Sequence, residues 1–369
     1  MIFFRSLPIT SSCNEHFFSC FQRGSGLAEI RKTIEIAEKC RLLVSSVFLL
    51  GGNPGYFKES GDIARKYPSF FLGGKSFNGL SGIIVRAYSN SGKKCTFRYI
   101  RDNREKRRPL GTYFSCGDIK VATLTGFLAQ AKNGQGKSAG IYAAYSTALE
   151  LIEKSGFGIN NVCRFWNFLH GMPDYKELNK GRDRFFSEHS VTSYPAATGI
   201  QALHPDGAYY QLGLEAVRSD NAAIEREVIH SSLQCDAWQY GPKFSRAVLI
   251  RAEKELFKKL YVSGTSSIDC AGKSVKLCNA RKNITYVVSC VEHILRKKDM
   301  GLENIAMSVV YCKTAELFNL FESIYAKRKW NFPYVPLITD ICRNELFFEI
   351  ECMAAGDTKS DTFSGSCEY

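Results

Sequence analysis

The sequence predicts an α/β protein of the mixed α+β type, in which two related β-α-β halves follow one another in tandem. The first observation is a pair of helical segments with the same plan. One contains Tyr142 and ends at Gly156, the other contains Tyr286 and ends at Gly301, and the two spacings differ by one residue. The second observation is that apolar, strand-like segments flank both helices, as in a β-α-β unit. We therefore expect mixed sheets with helices packed on one face.

The first part of the chain supplies the elements that precede this repeat. Residues 1–26 show no clear periodicity, so we treat them as a poorly specified lead-in. A helical pattern follows, and then a strand that ends at the glycine-rich turn Gly51-Gly52-Asn53-Pro54-Gly55. The predicted elements of this part are a helix at 27–38 and strands at 42–50, 70–72, 82–88 and 95–99.

The repeat occupies the rest of the chain. The predicted strands lie at 118–126, 162–169, 260–268 and 305–311, and the predicted helices at 140–155, 174–186 and 314–327, besides the helix around Tyr286. A loop is expected at Pro195-Ala196-Ala197-Thr198-Gly199. We therefore divide the chain into a lead-in at 1–26, an N-terminal domain at 27–190, a C-terminal domain at 191–355 and a disordered tail at 356–369.

The composition is that of a globular protein with a strong positive charge. Of the 369 residues, 45% are hydrophobic and 23% are charged, and the formal net charge of +13 favours anionic partners. The 14 cysteines contain no CxxC pair and the six histidines show no metal-ligand spacing, so we expect reduced thiols and no metal site. The opening apolar run is too short for a signal sequence or a membrane span, and we expect a cytoplasmic protein.

A segment near the C-terminus combines strand periodicity with acidic residues. From Glu345 to Cys352 the side chains alternate with the period of a half-buried strand, which puts Glu349 and Glu351 on the face opposite the apolar one. Arg343 lies just before this strand, where a guanidinium can hold a substrate carboxylate while a glutamate handles a proton. On spacing alone, an ordinary strand with a solvated acidic face explains the pattern more simply.

Several short motifs stand in one consistent order between about residues 118 and 355. They are Arg164-Phe165-Trp166-Asn167-Phe168-Leu169, Glu177-Leu178-Asn179-Lys180-Gly181-Arg182, Pro195-Ala196-Ala197-Thr198-Gly199, Gln239-Tyr240-Gly241-Pro242-Lys243-Phe244-Ser245-Arg246-Ala247, Val262-Ser263-Gly264-Thr265-Ser266-Ser267 and the closing segment from Cys342-Arg343 to Glu349-Ile350-Glu351. In these motifs the sequence resembles the chorismatase family, which includes the 3-hydroxybenzoate synthases. The resemblance implies the fold of the reactive-intermediate deaminases, also called YjgF-like, with a degenerate N-terminal copy and a better kept C-terminal one.

The resemblance also implies a ligand pocket in the C-terminal half. Glu349 matches the family's catalytic glutamate, Arg343 and Arg246 are expected to anchor carboxylates, and Tyr240 is expected to hydrogen-bond the ligand. Ser266 stands near the presumed ring site, where alanine is expected. These five residues are the main candidates for the site.

Three further residues of the motifs are weighed less heavily. Glu351 is kept as a second binding or acid candidate, although its side chain is equally suited to pairing with a basic neighbour. Asn179 and Arg182, on the helix between the halves, are assigned to the scaffold.

The activity that the resemblance implies is cleavage of the enolpyruvyl ether of chorismate, or of a close cyclic carboxylate. Pyruvate is released together with a dihydroxycyclohexadiene carboxylate or 3-hydroxybenzoate. No metal, nucleotide or organic cofactor is expected. The expected partner is the small-molecule substrate, with neither nucleic acid nor membrane, in a monomer or a homotrimer.

Three other functions are considered. An imine or enamine deaminase of the same fold would use an arginine and a glutamate in a similar way. A basic RNA-binding protein would use the charged stretch from Arg98 to Arg108. A phosphate-binding loop at Gly136-Lys137-Ser138 ranks last, because Ala131 replaces the first glycine of that pattern.

Overall fold

The computed structural model is of the α+β class. It describes residues 2–24, 27–51, 54–74, 79–89, 95–102, 108–129, 136–221, 224–252, 256–275, 277, 279–356 and 359–362. Within those ranges the chain forms three mixed sheets of six strands each, together with seven α-helices. None of the helices in this part of the chain is long and apolar enough to cross a membrane.

The first sheet is built from both ends of the chain. Its strands are β1 (Ile2–Thr10), β2 (Cys13–Arg23), β3 (Leu43–Gly51), β4 (Ser69–Leu72), β5 (Leu80–Tyr88) and β18 (Lys359–Thr362), and its helices are α1 (Ala28–Lys39), α2 (Pro54–Glu59) and α3 (Gly61–Lys66). The strand order is β18-β1-β2-β5-β3-β4. The β3–β4 pair is parallel, whereas the other pairs are antiparallel.

The second sheet follows directly along the chain. Its strands are β6 (Cys95–Ile100), β7 (Gly111–Cys116), β8 (Ile119–Ala129), β9 (Val162–Leu169), β10 (Ala196–Gln201) and β11 (Tyr210–Ser219), and its helices are α4 (Lys137–Glu153) and α5 (Tyr175–Glu188). The strand order is β10-β9-β11-β8-β7-β6, with β9 and β10 parallel. The segment 195–199, predicted as a loop, therefore enters a strand.

The third sheet repeats this plan. Its strands are β12 (Ile224–Ile229), β13 (Ala247–Ala252), β14 (Lys258–Ser266), β15 (Ile305–Cys312), β16 (Val335–Ile338) and β17 (Phe348–Ala355), and its helices are α6 (Ala280–Arg296) and α7 (Ala315–Arg328). The strand order is β12-β13-β14-β17-β15-β16, with β15 and β16 parallel. Strand β17 begins at Phe348, three residues later than the alternation from Glu345 predicts.

The same unit thus occurs three times. In each, a long helix connects two strands of one sheet, and a shorter helical segment leads to the edge strand that pairs in parallel. The tandem β-α-β arrangement inferred from Tyr142 and Tyr286 is present, since these tyrosines lie in α4 and α6. The chain nevertheless divides into three units, one for each sheet, with boundaries between β5 and β6 and between β11 and β12. The predicted domain boundary at 190/191 instead falls inside the second unit, between α5 and β10.

At both ends of the chain, the structure has strands where the sequence predicted none. The predicted lead-in at 1–26 forms β1 and β2. Burial alternates along β1 from Arg5 to Ile9, but the buried positions of the two strands include the charged residues Arg5 and Glu15, so the sequence lacks the alternation of apolar and polar residues that predicts a strand. Within the predicted disordered tail, Lys359–Thr362 pairs antiparallel with β1. This strand takes the outer position that β6 and β12 hold in the other two sheets.

Each sheet has a hydrophobic core between one of its faces and its own helices, as predicted. These three apolar clusters contain Ile34 in the first unit, Phe165 in the second and Phe321 in the third. The opposite faces of all three sheets contribute to one shared cluster that contains Phe48, Trp166 and Tyr261. The three units therefore meet face to face at the centre of the molecule, and interfaces between sheets lie inside a single chain.

Candidate active site

A cavity of about 270 Å³ lies between the second and third sheets. The second sheet's unit contributes side chains from α5 and β10, and the third contributes β14, β17 and the two loops that precede β13 and β17. The lining includes Tyr175, Asn179, Arg182, Thr198, Tyr240, Phe244, Arg246, Gly264, Ser266, Cys342, Arg343 and Glu349. Five of the six predicted site residues line this cavity, and Glu351 does not.

Glu349 projects into the cavity from β17. Its neighbours Phe348 and Ile350 point the other way, into the core beneath α6 and α7, as the alternation of the strand requires. On the facing strand, a Cβ at position 264 would overlap the Oε1 atom of Glu349. Gly264 therefore leaves the space that the carboxyl group occupies.

The environment of Glu349 favours the neutral acid. The side chain is buried, at 4% exposure, and its carboxyl group has no hydrogen-bond partner among the residues that the structure describes. Burial, together with the charge of Glu351, raises the pKa of Glu349 to about 8 against the opposing effect of Arg246 and Arg164. Both acidic side chains of β17 are buried, so the simpler interpretation of a solvated acidic face is wrong.

Arg246 and Arg343 are held in place by neutral acceptors. Arg246 donates from Nε to the carbonyl of Cys235 at 2.8 Å and from Nη2 to the Tyr240 hydroxyl at 2.9 Å. Arg343 donates to the Ser274 hydroxyl at 3.1 Å and to a backbone carbonyl at 2.9 Å. Within the described part of the chain, neither guanidinium forms an ion pair. Their positive charge is therefore available to an anionic ligand.

Tyr240 lies between these two arginines. The guanidinium carbons of Arg246 and Arg343 stand 5.6 Å and 5.4 Å from the centre of its ring. Gly272, with φ near +73°, packs against the ring where a Cβ would collide with it. Stacking of this kind orients a guanidinium without neutralising its charge.

Sequence reasoning missed three residues of the lining on α5. Tyr175, Asn179 and Arg182 are spaced i, i+4 and i+7, so they share one face of the helix, and that face lines the cavity. Arg182 is 2% exposed and donates from Nη2 to the side-chain Oδ1 atom of Asn179 at 2.6 Å. The assignment of Asn179 and Arg182 to the scaffold is therefore incomplete, and their helical spacing is the signal that could have identified them.

Glu351 has the second of its two expected roles, which is pairing with a basic neighbour. It forms a buried ion pair with Arg164 of β9, which also donates to the Thr198 hydroxyl at 2.5 Å and to the carbonyl of Val262 at 3.1 Å. The pair joins the second sheet to the third immediately beside the cavity. Glu351 is therefore a structural contact of the interface and not part of the lining.

The two polar residues Ser266 and Cys342 lie in the cavity wall. The Ser266 hydroxyl donates to the carbonyl of Phe348 at 2.6 Å, which ties β14 to β17. Burial, followed by the charge of Glu349, raises the pKa of Cys342 to about 12, so its thiol stays protonated at neutral pH. Neither side chain is set up as a nucleophile.

The other sequence-based hypotheses find less support. Lys137, which the phosphate-loop pattern would aim at a nucleotide, pairs with Asp174 at 2.7 Å, and residues 131–135 of that pattern lie outside the described residues. Much of the basic stretch also lies outside them, at 103–107. Of its described members, Arg98 stacks on the Tyr113 ring with 4.5 Å between the guanidinium carbon and the ring centre.

Comparisons with known proteins identify the fold. No family model and no curated protein matches the chain. Among solved structures, a chorismatase matches with a TM-score of 0.64 and 17% identity over 95% of this chain and 100% of its own.

Smaller proteins match single parts of the chain. Yeast Mmf1 covers 36% of this chain and 98% of its own at 21% identity and a TM-score of 0.30. The Rid-family protein YyfA of Yersinia pestis covers 36% and 99% at 21% identity and a TM-score of 0.29. Over nearly its whole length, the chain is thus similar in fold to a chorismatase, as the resemblance in its sequence implied.

Proposed function

We propose that this chain cleaves the enolpyruvyl ether of chorismate, or of a close cyclic carboxylate, and releases pyruvate. The observation that carries the proposal is that one cavity is lined both by a neutral glutamic acid, Glu349, and by three guanidinium groups. These belong to Arg182, Arg246 and Arg343. The cavity volume suits a small metabolite. The similarity in fold to a chorismatase supports the choice of substrate.

The first chemical step is protonation of the enol ether. With a pKa of about 8, Glu349 holds a proton at neutral pH and delivers it to the terminal methylene carbon of the substrate. The ether carbon then becomes an oxocarbenium-like centre, and the ionised Glu349 is left to accept a proton from an attacking water. Collapse of the resulting hemiketal gives pyruvate and the ring alcohol, so one water is consumed for each ether cleaved.

The arginines position the substrate for this step. Chorismate carries two carboxylates, one on the ring and one on the enolpyruvyl group, and Arg246 and Arg343 present charges without intramolecular ion pairs. Arg182 adds a third guanidinium from the opposite wall of the cavity, and its Nε lies 3.9 Å from a carboxylate oxygen of Asp183. Two anchored carboxylates fix the orientation of the ring, so the proton of Glu349 reaches one defined carbon.

The product branch depends on what surrounds the ring. Hydrolysis leaves a dihydroxycyclohexadiene carboxylate, whereas rearrangement of the ring gives 3-hydroxybenzoate. Since the Ser266 hydroxyl donates its proton to the carbonyl of Phe348, it offers only oxygen lone pairs to the ligand. Of the two products, we propose the dihydroxycyclohexadiene carboxylate. The Ser266 oxygen can accept a hydrogen bond from a ring hydroxyl group, which favours a product that keeps its ring hydroxyl groups.

Incubation of the purified chain with chorismate tests the proposal. Pyruvate is followed by a coupled assay and the ring product by mass spectrometry, with the Glu349→Gln variant as control. The proposal is supported if the wild-type protein releases pyruvate and the Glu349→Gln variant does not. Absence of turnover by folded protein contradicts it, and ammonia release from a 2-imino acid by the same preparation would favour the deaminase hypothesis.

We also propose that a single chain is sufficient for activity. In the described residues, both walls of the cavity come from the second and third sheets of one chain. Turnover per chain should therefore stay constant when the protein is diluted and its mass is followed by light scattering. A loss of activity on dilution would show that the homotrimer is required.

A further inference from the structure

Three cysteines that are far apart in the sequence meet between the first and second sheets. Cys13 begins β2, whereas Cys95 and Cys116 lie opposite each other at the ends of β6 and β7. The three Sγ atoms all lie within 4.8 Å of one another. Cys13 and Cys116 are buried and Cys95 is half-buried. The cluster is separate from the cavity between the second and third sheets.

This arrangement differs from that of ordinary core cysteines. A buried cysteine usually packs as a small apolar side chain, and no other group of three potential metal ligands lies this close together in the described part of the chain. Around one cation with metal–sulfur bonds of about 2.3 Å, three sulfur atoms stand roughly 4 Å apart. The separations in the structure therefore need only small side-chain rotations to enclose an ion.

The donor atoms indicate which kind of ion would fit. Three sulfur donors without a carboxylate suit soft cations and disfavour Mg²⁺ and Ca²⁺, which prefer oxygen. Next to them, the Thr10 hydroxyl lies 3.5 Å from the Cys116 sulfur and offers an oxygen for a fourth position. Because Cys95 is half-buried, an ion can enter from its side.

We propose that Cys13, Cys95 and Cys116 form a binding site for a thiol-seeking cation, Zn²⁺ or Cu⁺, that ties the first sheet to the second. No spacing motif in the sequence predicts this site, because the three residues are far apart along the chain and only the packing of the sheets brings them together. The ligands come from two units of the fold, so an ion bound here stabilises the packing of one unit on the other. Binding to the folded state alone raises the melting temperature as the metal concentration rises.

Metal titration of the full-length, reduced, metal-free protein tests this site. One arm titrates Zn²⁺ against a chromophoric chelator, and a second arm titrates Cu⁺ without oxygen. We expect one tightly bound equivalent in at least one arm, with a rise in melting temperature. The Cys95→Ser variant should bind that equivalent at least about tenfold more weakly, whereas Cys270→Ser, which removes an exposed thiol, should bind it unchanged.

A second measurement avoids variants altogether. Alkylation of the wild-type protein by iodoacetamide, followed by mass spectrometry, should modify Cys95 in the metal-free protein and spare it once metal is bound, while Cys270 reacts in both. The proposal is overturned if neither arm shows a tight equivalent, or if Cys95→Ser binds as tightly as the wild type. A disulfide between Cys95 and Cys116 in the native protein would also overturn it, because it removes two ligands.

Discussion

Two buried groups of charged side chains in this molecule use the same residue types in opposite ways. At the centre, Glu15 and Arg86 of the first sheet meet Glu215 of the second and Lys259 of the third. All four are essentially inaccessible to solvent. Two cations and two carboxylates neutralise each other there, with Arg86 bound to Glu15 at 2.7 Å and to Glu215 at 2.5 Å.

The cavity holds a different balance. Three arginines face a single glutamic acid, and Arg246 and Arg343 donate only to neutral groups. The two glutamates differ accordingly. Burial would raise the pKa of Glu215, but Arg86 and Lys259 lower it to about 2, whereas burial and Glu351 raise the pKa of Glu349 to about 8.

The difference is the one we expect between a structural cluster and the proposed binding site. A closed cluster with matched charges fixes how the three sheets pack, since a misplaced sheet would leave a charge buried and unpaired. An open cluster with excess positive charge and a protonated acid is costly to the folded protein unless an anion fills it. Such an imbalance, beside a perturbed pKa, is what an active site requires.

The largest expected effect is on turnover. Replacing the proton donor by Glu349→Gln should lower turnover of chorismate by about 10² to 10⁴, the usual range for loss of a general acid. The fold should be unchanged, because the amide has the same shape. Steady-state kinetics measure the effect, with the exposed Glu316→Gln as the matched control. Equal turnover in wild type and Glu349→Gln would remove Glu349 from the mechanism.

The same substitution in the central cluster should act on stability instead. Glu215→Gln leaves Arg86 and Lys259 with one carboxylate, and breaking a buried pair costs about 3–5 kcal/mol. Because the pKa of Glu215 is lowered in the folded protein, its contribution is present above the ordinary glutamate pKa and disappears as the pH falls toward 2.

Urea denaturation at pH 7 measures this loss. Turnover per folded molecule should remain close to that of the wild type. A Glu215→Gln protein of normal stability would show that the central charges are not coupled as described.

A smaller effect is expected for the carboxylate anchors. Arg343→Met should raise the KM for chorismate by about 10- to 100-fold, which corresponds to the loss of one hydrogen-bonded ion pair. The exposed Arg296→Met serves as control. An unchanged KM for Arg343→Met, with the protein folded, would place the substrate carboxylates elsewhere.

The smallest effect is expected for Tyr240→Phe. This change removes the hydroxyl that accepts from Arg246 but keeps the ring on which both arginines stack. A loss of about 1 kcal/mol is typical for one hydrogen bond, so kcat/KM should fall roughly two- to tenfold. A loss as large as that of Glu349→Gln would mean that the hydroxyl takes part in proton transfer.

The resemblance to the chorismatase family was enough to predict one wall of the cavity, whereas local pattern alone indicated only a strand with Arg343 just before it. The strand with Glu349 and the arginines at 246 and 343 belong to the third sheet's unit, where the motifs are most continuous. The α+β class and the tandem repeat were predicted from helix and strand periodicity, because the helices are amphipathic and the strands between them are apolar.

Contacts between distant segments could not be predicted in the same way. Glu351 was kept as a site candidate beside the alternative of pairing with a basic group, because nothing in the sequence identifies Arg164 of another sheet as its partner. The first sheet was missed as a unit, since Arg5 and Glu15 are buried in β1 and β2 and β18 comes from the opposite end of the chain. The Glu351–Arg164 ion pair and the pairing of β1 with β18 both join segments more than a hundred residues apart.

The most direct test of this account is the ionisation of Glu349 itself. Carbon-13 NMR of protein labelled at the glutamate carboxyl carbon, compared with Glu349→Gln, isolates this one signal across a pH titration. We expect a carboxyl group that is protonated at pH 7 and ionises near pH 8, with turnover falling above that pH because the proton donor is lost. A Glu349 signal that is fully ionised by pH 6 would contradict the account, since the cavity would then hold a carboxylate like that of Glu215.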